Sequence, residues 1–234
     1  MRKPIVTIVA LMAVLVLSTS IAFADEITFR KVPWKSDYQT TMNALNDMDV
    51  SWRNPRDKLG ILIADEVITS LDKPELDYPC ICFVESRNCD TKVAGYDVNE
   101  VSLYFAYTPN GDGEIDHDVD NTAFYMACYK ISTDESGYPA TIRDLKKKLS
   151  DLYGTPKEVD MSDDCNATTK DYYQWKGSNN TFVYLNGEPN DVWKYFYVRI
   201  WYGTSEGDTL IRNAEKTQEE LGSKKLREGG SDGL

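Results

Sequence analysis

The sequence predicts an α+β fold in which helices pack on an antiparallel sheet, with two successive helix-plus-sheet units as a candidate pseudo-repeat. Strand-length runs with alternating polarity, such as 101–107 and 122–131 or 181–185 and 192–202, follow one another without an intervening helix. Two helical segments with clear start and stop signals stand apart from these runs. The strand–helix–crossover order that a parallel sheet requires is absent.

In chain order, 27–34 reads as a short strand stopped by Pro33. Ser36-Asp-Tyr-Gln39 reads as a capping box opening a helix to about residue 47, with Tyr38, Met42, Leu45 and Met48 on its buried side. Residues 61–68 fit a helix or a strand. Strands are expected at 78–84, 91–96, 101–107 and 122–131, the last two forming a hairpin around an acidic loop. Thr141-Ile-Arg-Asp144 is a second capping box, Ile142, Leu145, Leu149 and Leu152 form a stripe, and Gly154 with Pro156 ends the helix. Strands at 171–175, 181–185 and 192–202 follow, joined by Gly177–Asn180 and Asn186-Gly187 turns. A helix over 208–221 and a Gly/Ser/Lys tail close the chain.

Residues 1–24 read as a signal peptide. Arg2 and Lys3 give a basic start, 5–17 an apolar run, and Ala22-Phe23-Ala24 a small-residue cleavage site, so cleavage after Ala24 and secretion are expected. The alternative is an uncleaved membrane anchor; no cysteine stands at the cut to carry a lipid, so no stable membrane anchor is expected after cleavage. The expected units are then 25–134 (strand, helix, strands), 135–222 (helix, strands, helix) and a flexible tail at 223–234. The leader holds two of the 26 basic residues and none of the 38 acidic ones, which leaves a mature net charge of −14. Nucleic-acid binding needs a basic face, so that partner class is set aside.

Five cysteines remain: Cys80, Cys82, Cys89, Cys128 and Cys165. Outside the cytoplasm, two disulfides and one free thiol are one reading. A bridge from Cys82 to Cys89 across a turn at Glu85–Asn88 is the first choice. An exported protein of an anaerobe with none paired is another. A zinc site on the same cysteines lacks a fourth ligand.

The loop Asn110-Gly-Asp-Gly-Glu-Ile-Asp116 matches the middle of a calcium loop, with Asn110, Asp112, Glu114 and Asp116 at ligand positions. Thr108 and Val119 stand where terminal carboxylates belong, so a solvated hairpin tip is the preferred reading and calcium the alternative, with Asp118 and Asp120 as substitute ligands. No other cofactor is indicated. His117 is the single histidine and lacks the motif neighbours of a catalytic base. The strongest binding candidate is the aromatic run 193–202. Alternation places Trp193, Tyr195, Tyr197, Arg199 and Trp201 on one face, and Phe196, Val198, Ile200 and Tyr202 on the core face. The first face suits stacking on sugars or anchoring a protein, unless a helix covers it.

Phe29-Arg-Lys-Val-Pro-Trp-Lys-Ser-Asp-Tyr38, Val93-Ala-Gly-Tyr96, Val101-Ser-Leu-Tyr-Phe-Ala-Tyr107, Leu149-Ser-Asp-Leu-Tyr-Gly-Thr-Pro156 and Ser231-Asp-Gly-Leu234 resemble uncharacterised secreted proteins of Gram-positive anaerobic gut bacteria. The resemblance implies export and no activity. The order of helix then antiparallel strands is similar to modules of the BamE type and of β-lactamase inhibitor proteins, an architectural likeness that carries no function. The expected role is a non-enzymatic binding module for an extracellular protein or glycan. The alternative is an extracytoplasmic glycan hydrolase with a carboxylate pair.

Overall fold

Alternating strands and hairpin turns assemble into one twisted sheet. The computed structural model describes residues 25–57, 81–108, 112, 118–159, 172–190, 194–213 and 216. The expected leader, the 61–68 segment and the tail lie outside them. The elements are α1 (Tyr38–Ala44), β1 (Val50–Trp52), β2 (Arg56–Asp57), β3 (Ile81–Cys89), β4 (Lys92–Val93), β5 (Tyr96–Asp97), β6 (Glu100–Tyr107), β7 (Thr122–Thr133), α2 (Tyr138–Tyr153), β8 (Lys157–Glu158), β9 (Tyr172–Lys176), β10 (Thr181–Asn190) and β11 (Tyr195–Thr204). A third helix, α3, follows over 205–213. Nine strands form the sheet in the order β1-β3-β6-β7-β11-β10-β9-β8, with β2 also on β3 and β4-β5 a separate hairpin. The pairings are antiparallel throughout, so the α+β class holds.

The strands before α2 and those after it meet at β7 and β11, which pair from Thr133↔Phe196 to Met126↔Gly203. Odd and even positions then sort onto two faces across the seam. On the first face Leu103, Phe105, Phe124, Tyr129, Val198, Ile200 and Tyr202 are buried in one core with Leu45 near the end of α1 and with Ile142, Leu145 and Leu149 of α2. The N-terminal segment is buried in the same core. Ile27, Phe29 and Val32 are almost fully buried. Phe29 packs on Phe124 and Tyr129 of β7 and on Tyr202 of β11, with ring centroids 6.4, 4.9 and 5.7 Å away. Trp34 Nε1 donates to the Ile27 carbonyl at 2.7 Å, and Ile27 N donates to Thr181 Oγ1 at 3.0 Å.

Several local expectations are revised. The expected 27–34 strand is a tight turn, with one bridge between Phe29 and Val32 and Arg30 and Lys31 in left-handed backbone. Helix α1 is capped by Asp37, which accepts from Thr40 N at 2.7 Å, while Ser36 Oγ donates to the Pro33 carbonyl and Gln39 reaches Asp120. Helix α2 opens at Tyr138, one turn before the expected box, with Pro139 in its first turn and Thr141 buried inside it. Leu152 is 71% exposed and leaves the stripe. The 91–96 strand is a hairpin whose Ala94-Gly95 turn has φ of 51° and 88°.

Two expected turns are continuous strand. Glu85–Asn88 lies inside β3. Cys82 and Cys89 therefore sit on one strand roughly 23 Å apart, too far for a disulfide, and Cys89 is a free thiol. Likewise Asn186-Gly187 is not a hairpin tip, because both residues pair with β11 at Arg199 and Val198. The glycine answers a packing demand: a Cβ at 187 would stand 1.6 Å from the Tyr138 hydroxyl and 2.5 Å from its ring carbon. Helix α3 begins three residues before its expected start, with Thr204 Oγ1 accepting from Gly207 N at 3.0 Å, and it folds onto the second sheet face instead of joining α1 and α2.

Gly187→Ala should cost about 1–3 kcal/mol in urea unfolding, as overpacking does. In the Tyr138→Ala background the same change should cost much less. Additive losses would show that the ring does not impose the glycine.

Candidate functional site

The second face of the sheet carries the aromatic run. Register across four central strands aligns Glu100, Lys130, Arg199 and Asn186 in one row. The next row aligns Ser102, Cys128, Trp201 and Tyr184, and the following one Tyr104, Met126, Gly203 and Phe182. On the other side of the polar row stands Tyr197, opposite Ser132.

Helix α3 lies over the Met126 end of this face. Ile211 packs with Met126 and Phe182, and Leu210 with Ala106, Ala123 and Tyr125. Close approach needs Gly207, where a Cβ would meet Tyr125 Cβ at 2.6 Å and the Tyr125 carbonyl at 3.1 Å. Trp201 is half-buried against this cluster and 5.6 Å from the Tyr104 ring. The helix-covered reading of the aromatic face thus applies at the Trp201 end. At the other end, Lys130 bridges Glu100 at 3.6 Å and lies 4.4 Å from the Tyr197 ring centroid, with the Lys130 and Glu100 side chains 22% and 32% exposed. Tyr197 and Arg199 are half-buried there.

Of the expected surface, Tyr197, Arg199 and Trp201 do share one face. Tyr195 opens β11 opposite Asn190, and Trp193 lies outside the described residues. Sequence reasoning missed Glu100, Lys130, Tyr104 and Tyr184. Alternation within 100–107 and 122–133 assigns the first three to faces, but only register shows that they adjoin Arg199 and Trp201.

In the calcium-loop candidate, Asn110, Glu114, Asp116 and His117 lie outside the described residues and Asp112 is exposed. Asp118 is engaged in capping, accepting from Asp120 N at 3.0 Å, and Asp120 accepts from Gln39. No three metal-ligating side chains cluster among the described residues. Burial pushes the Cys89 thiol up, away from the reactive thiolate. Asp37, Asp134, Asp144 and Glu206 are each held below the ordinary carboxylate range, by hydrogen bonds from Thr40, Ser136, Lys148 and Lys35 respectively. A glycosidase general acid needs the opposite displacement.

Beside α3, Tyr184 stacks on Phe182 at 4.1 Å and accepts from Gln174 Nε2 at 2.9 Å. Tyr172 lies 5.0 Å from it. Burial, then the charge of Asp208, pushes Tyr184 up to about 12, and burial raises Tyr172 further.

No family model matches this chain, and neither a curated protein nor a solved structure is found to match it.

A phenol with a raised folded pKa favours the fold in its neutral form. That contribution is complete below about pH 10, the unfolded value, and is lost as pH rises toward 12. Chemical denaturation across this range should show falling stability, and Tyr184→Phe should flatten the fall. An unchanged slope in the variant would remove Tyr184 from the cause.

Proposed function

We propose that this protein is an exported, non-enzymatic binding module that engages a glycan or protein partner through the second face of its sheet. The observation that carries the reading is the juxtaposition of Tyr197, Arg199, Lys130 and Glu100 at the end of that face that lies beyond the α3 contacts. Flat amphipathic rings beside fixed charges recur at recognition surfaces, where the ring supplies contact area and the charge supplies orientation. Export rests on the leader pattern of residues 1–24. No described helix is long and apolar enough to cross a membrane.

Expression of the full chain in a Gram-positive host, with mass spectrometry of the medium, should recover a protein beginning at Asp25. Retention of an intact leader in the cell fraction would overturn the export reading. Soluble peptidoglycan fragments and a panel of oligosaccharides should include a compound that raises the melting temperature of the wild type, because a ligand bound only by the folded state stabilises it. The rise should disappear in Tyr197→Ala. An equal rise in the variant would place binding elsewhere and sink the sheet-face reading.

A further inference from the structure

The segment ahead of α1 is closed on itself. Trp34 Nε1 donates to the Ile27 carbonyl at 2.7 Å, and Val32 N donates to the Phe29 carbonyl at 2.9 Å. Its core contacts run instead to distant parts of the chain. Phe29 packs on Phe124, Tyr129 and Tyr202, Trp34 stacks on Phe124 at 5.0 Å, and Ile27 N donates to Thr181. Arg30 pairs with Asp47 at 3.5 Å, and the Asp25 carbonyl passes 3.0 Å from the place a Cβ would take at Gly177. All of these partners lie beyond residue 35, so a second copy of the chain offers the segment the same seat with the same contacts.

Lys35 joins the segment to α1, and its backbone is strained. Its φ is 66°, a left-handed value that crowds the Cβ of a lysine and that glycine or asparagine adopts more readily. A hydrogen bond from Lys35 N to the Phe124 carbonyl at 2.7 Å and an ion pair from Nζ to Glu206 at 2.7 Å hold it there. Both partners of the ion pair are more than half exposed, so it contributes little. On the α1 side, Ser36 stays on β7 through its carbonyl, which accepts from Phe124 N at 2.8 Å. The chain thus has a compact element on one side, a fixed helix on the other and a single strained residue between them. Strained short hinges favour exchange of the element they carry, because the partner copy rebuilds every contact and only the hinge changes.

We propose that residues 25–34 exchange between two copies of this chain, each segment seated in the core of the other and Lys35 extended in between. At low concentration the segment occupies its own seat, to which it is tethered. At high concentration the exchanged dimer forms and relieves two strained hinges. This association is independent of the sheet-face binding reading, since the segment lies in the core on the first face.

Light scattering on the full chain after size exclusion, with reductant present so that no disulfide contributes, tests the exchange. It should show a dimer whose share grows when refolding from urea is carried out at higher protein concentration. Lys35→Gly and Lys35→Asn both tolerate the left-handed backbone and should lower that share about fivefold or more. Glu206→Gln removes the ion pair and keeps the strain, so the share should stay as high or rise. Glu26 is exposed, and Ser178 is half-buried in the turn against which the segment lies. A Glu26→Cys copy and a Ser178→Cys copy, refolded together and treated with a short bismaleimide, should therefore give a covalent heterodimer whose linked peptides join positions 26 and 178. A monomer at every concentration, a dimer share unchanged in both Lys35 variants or lowered equally by Glu206→Gln, or a dimer without the 26–178 link overturns the proposal.

Discussion

Everything else in this molecule depends on the antiparallel contact between β7 and β11. Each strand belongs to a local hairpin, β6-β7 or β10-β11. Neither hairpin would be stable alone, because a two-stranded ribbon exposes most of its apolar face. Their union makes one sheet with a continuous core, and Phe29 seals it by packing on both partners at once. The seam also generates the candidate site, since it sets Arg199 beside Lys130 and Trp201 beside Cys128.

Much of the fold was legible in the sequence where local chemistry and tertiary demand agree. The 101–107 and 122–131 runs formed the expected hairpin, and α2 carries Ile142, Leu145 and Leu149 on its buried side, as their spacing implies. The misread places are those where a local signal had a distant cause. Asn186-Gly187 has the composition of a turn, yet the glycine is small because Tyr138 lies over it. Glu85–Asn88 is polar because β3 is flanked by the short β1 and β2 near the sheet edge, where Arg53 pairs with Glu85 at 3.3 Å. Asp37 displaced Ser36 as the cap because the Ser36 hydroxyl is taken by Pro33. Helix α3 was expected, but its choice of sheet face was not, because that depends on Gly207 admitting it against Tyr125.

The candidate site was half legible. A period of two suffices to place Tyr197, Arg199 and Trp201 together, since that rule needs only one strand. Lys130 and Glu100 lie on other strands, and their approach depends on a register that Phe196, Val198 and Ile200 set by burying their own face. The core face thus decides which polar groups meet on the opposite side.

The N-terminal plug has a kinetic consequence. Phe29 is among the first described residues, yet its pocket is completed by Tyr202, near the end of the last strand. Ile27 likewise waits for Thr181. Such contacts join distant parts of the chain, and closing so long a loop is slow because its entropy is lost before the contact repays it. During synthesis, Ile27 and Phe29 must therefore stay unlocked until β10 and β11 have followed, and the core closes only then.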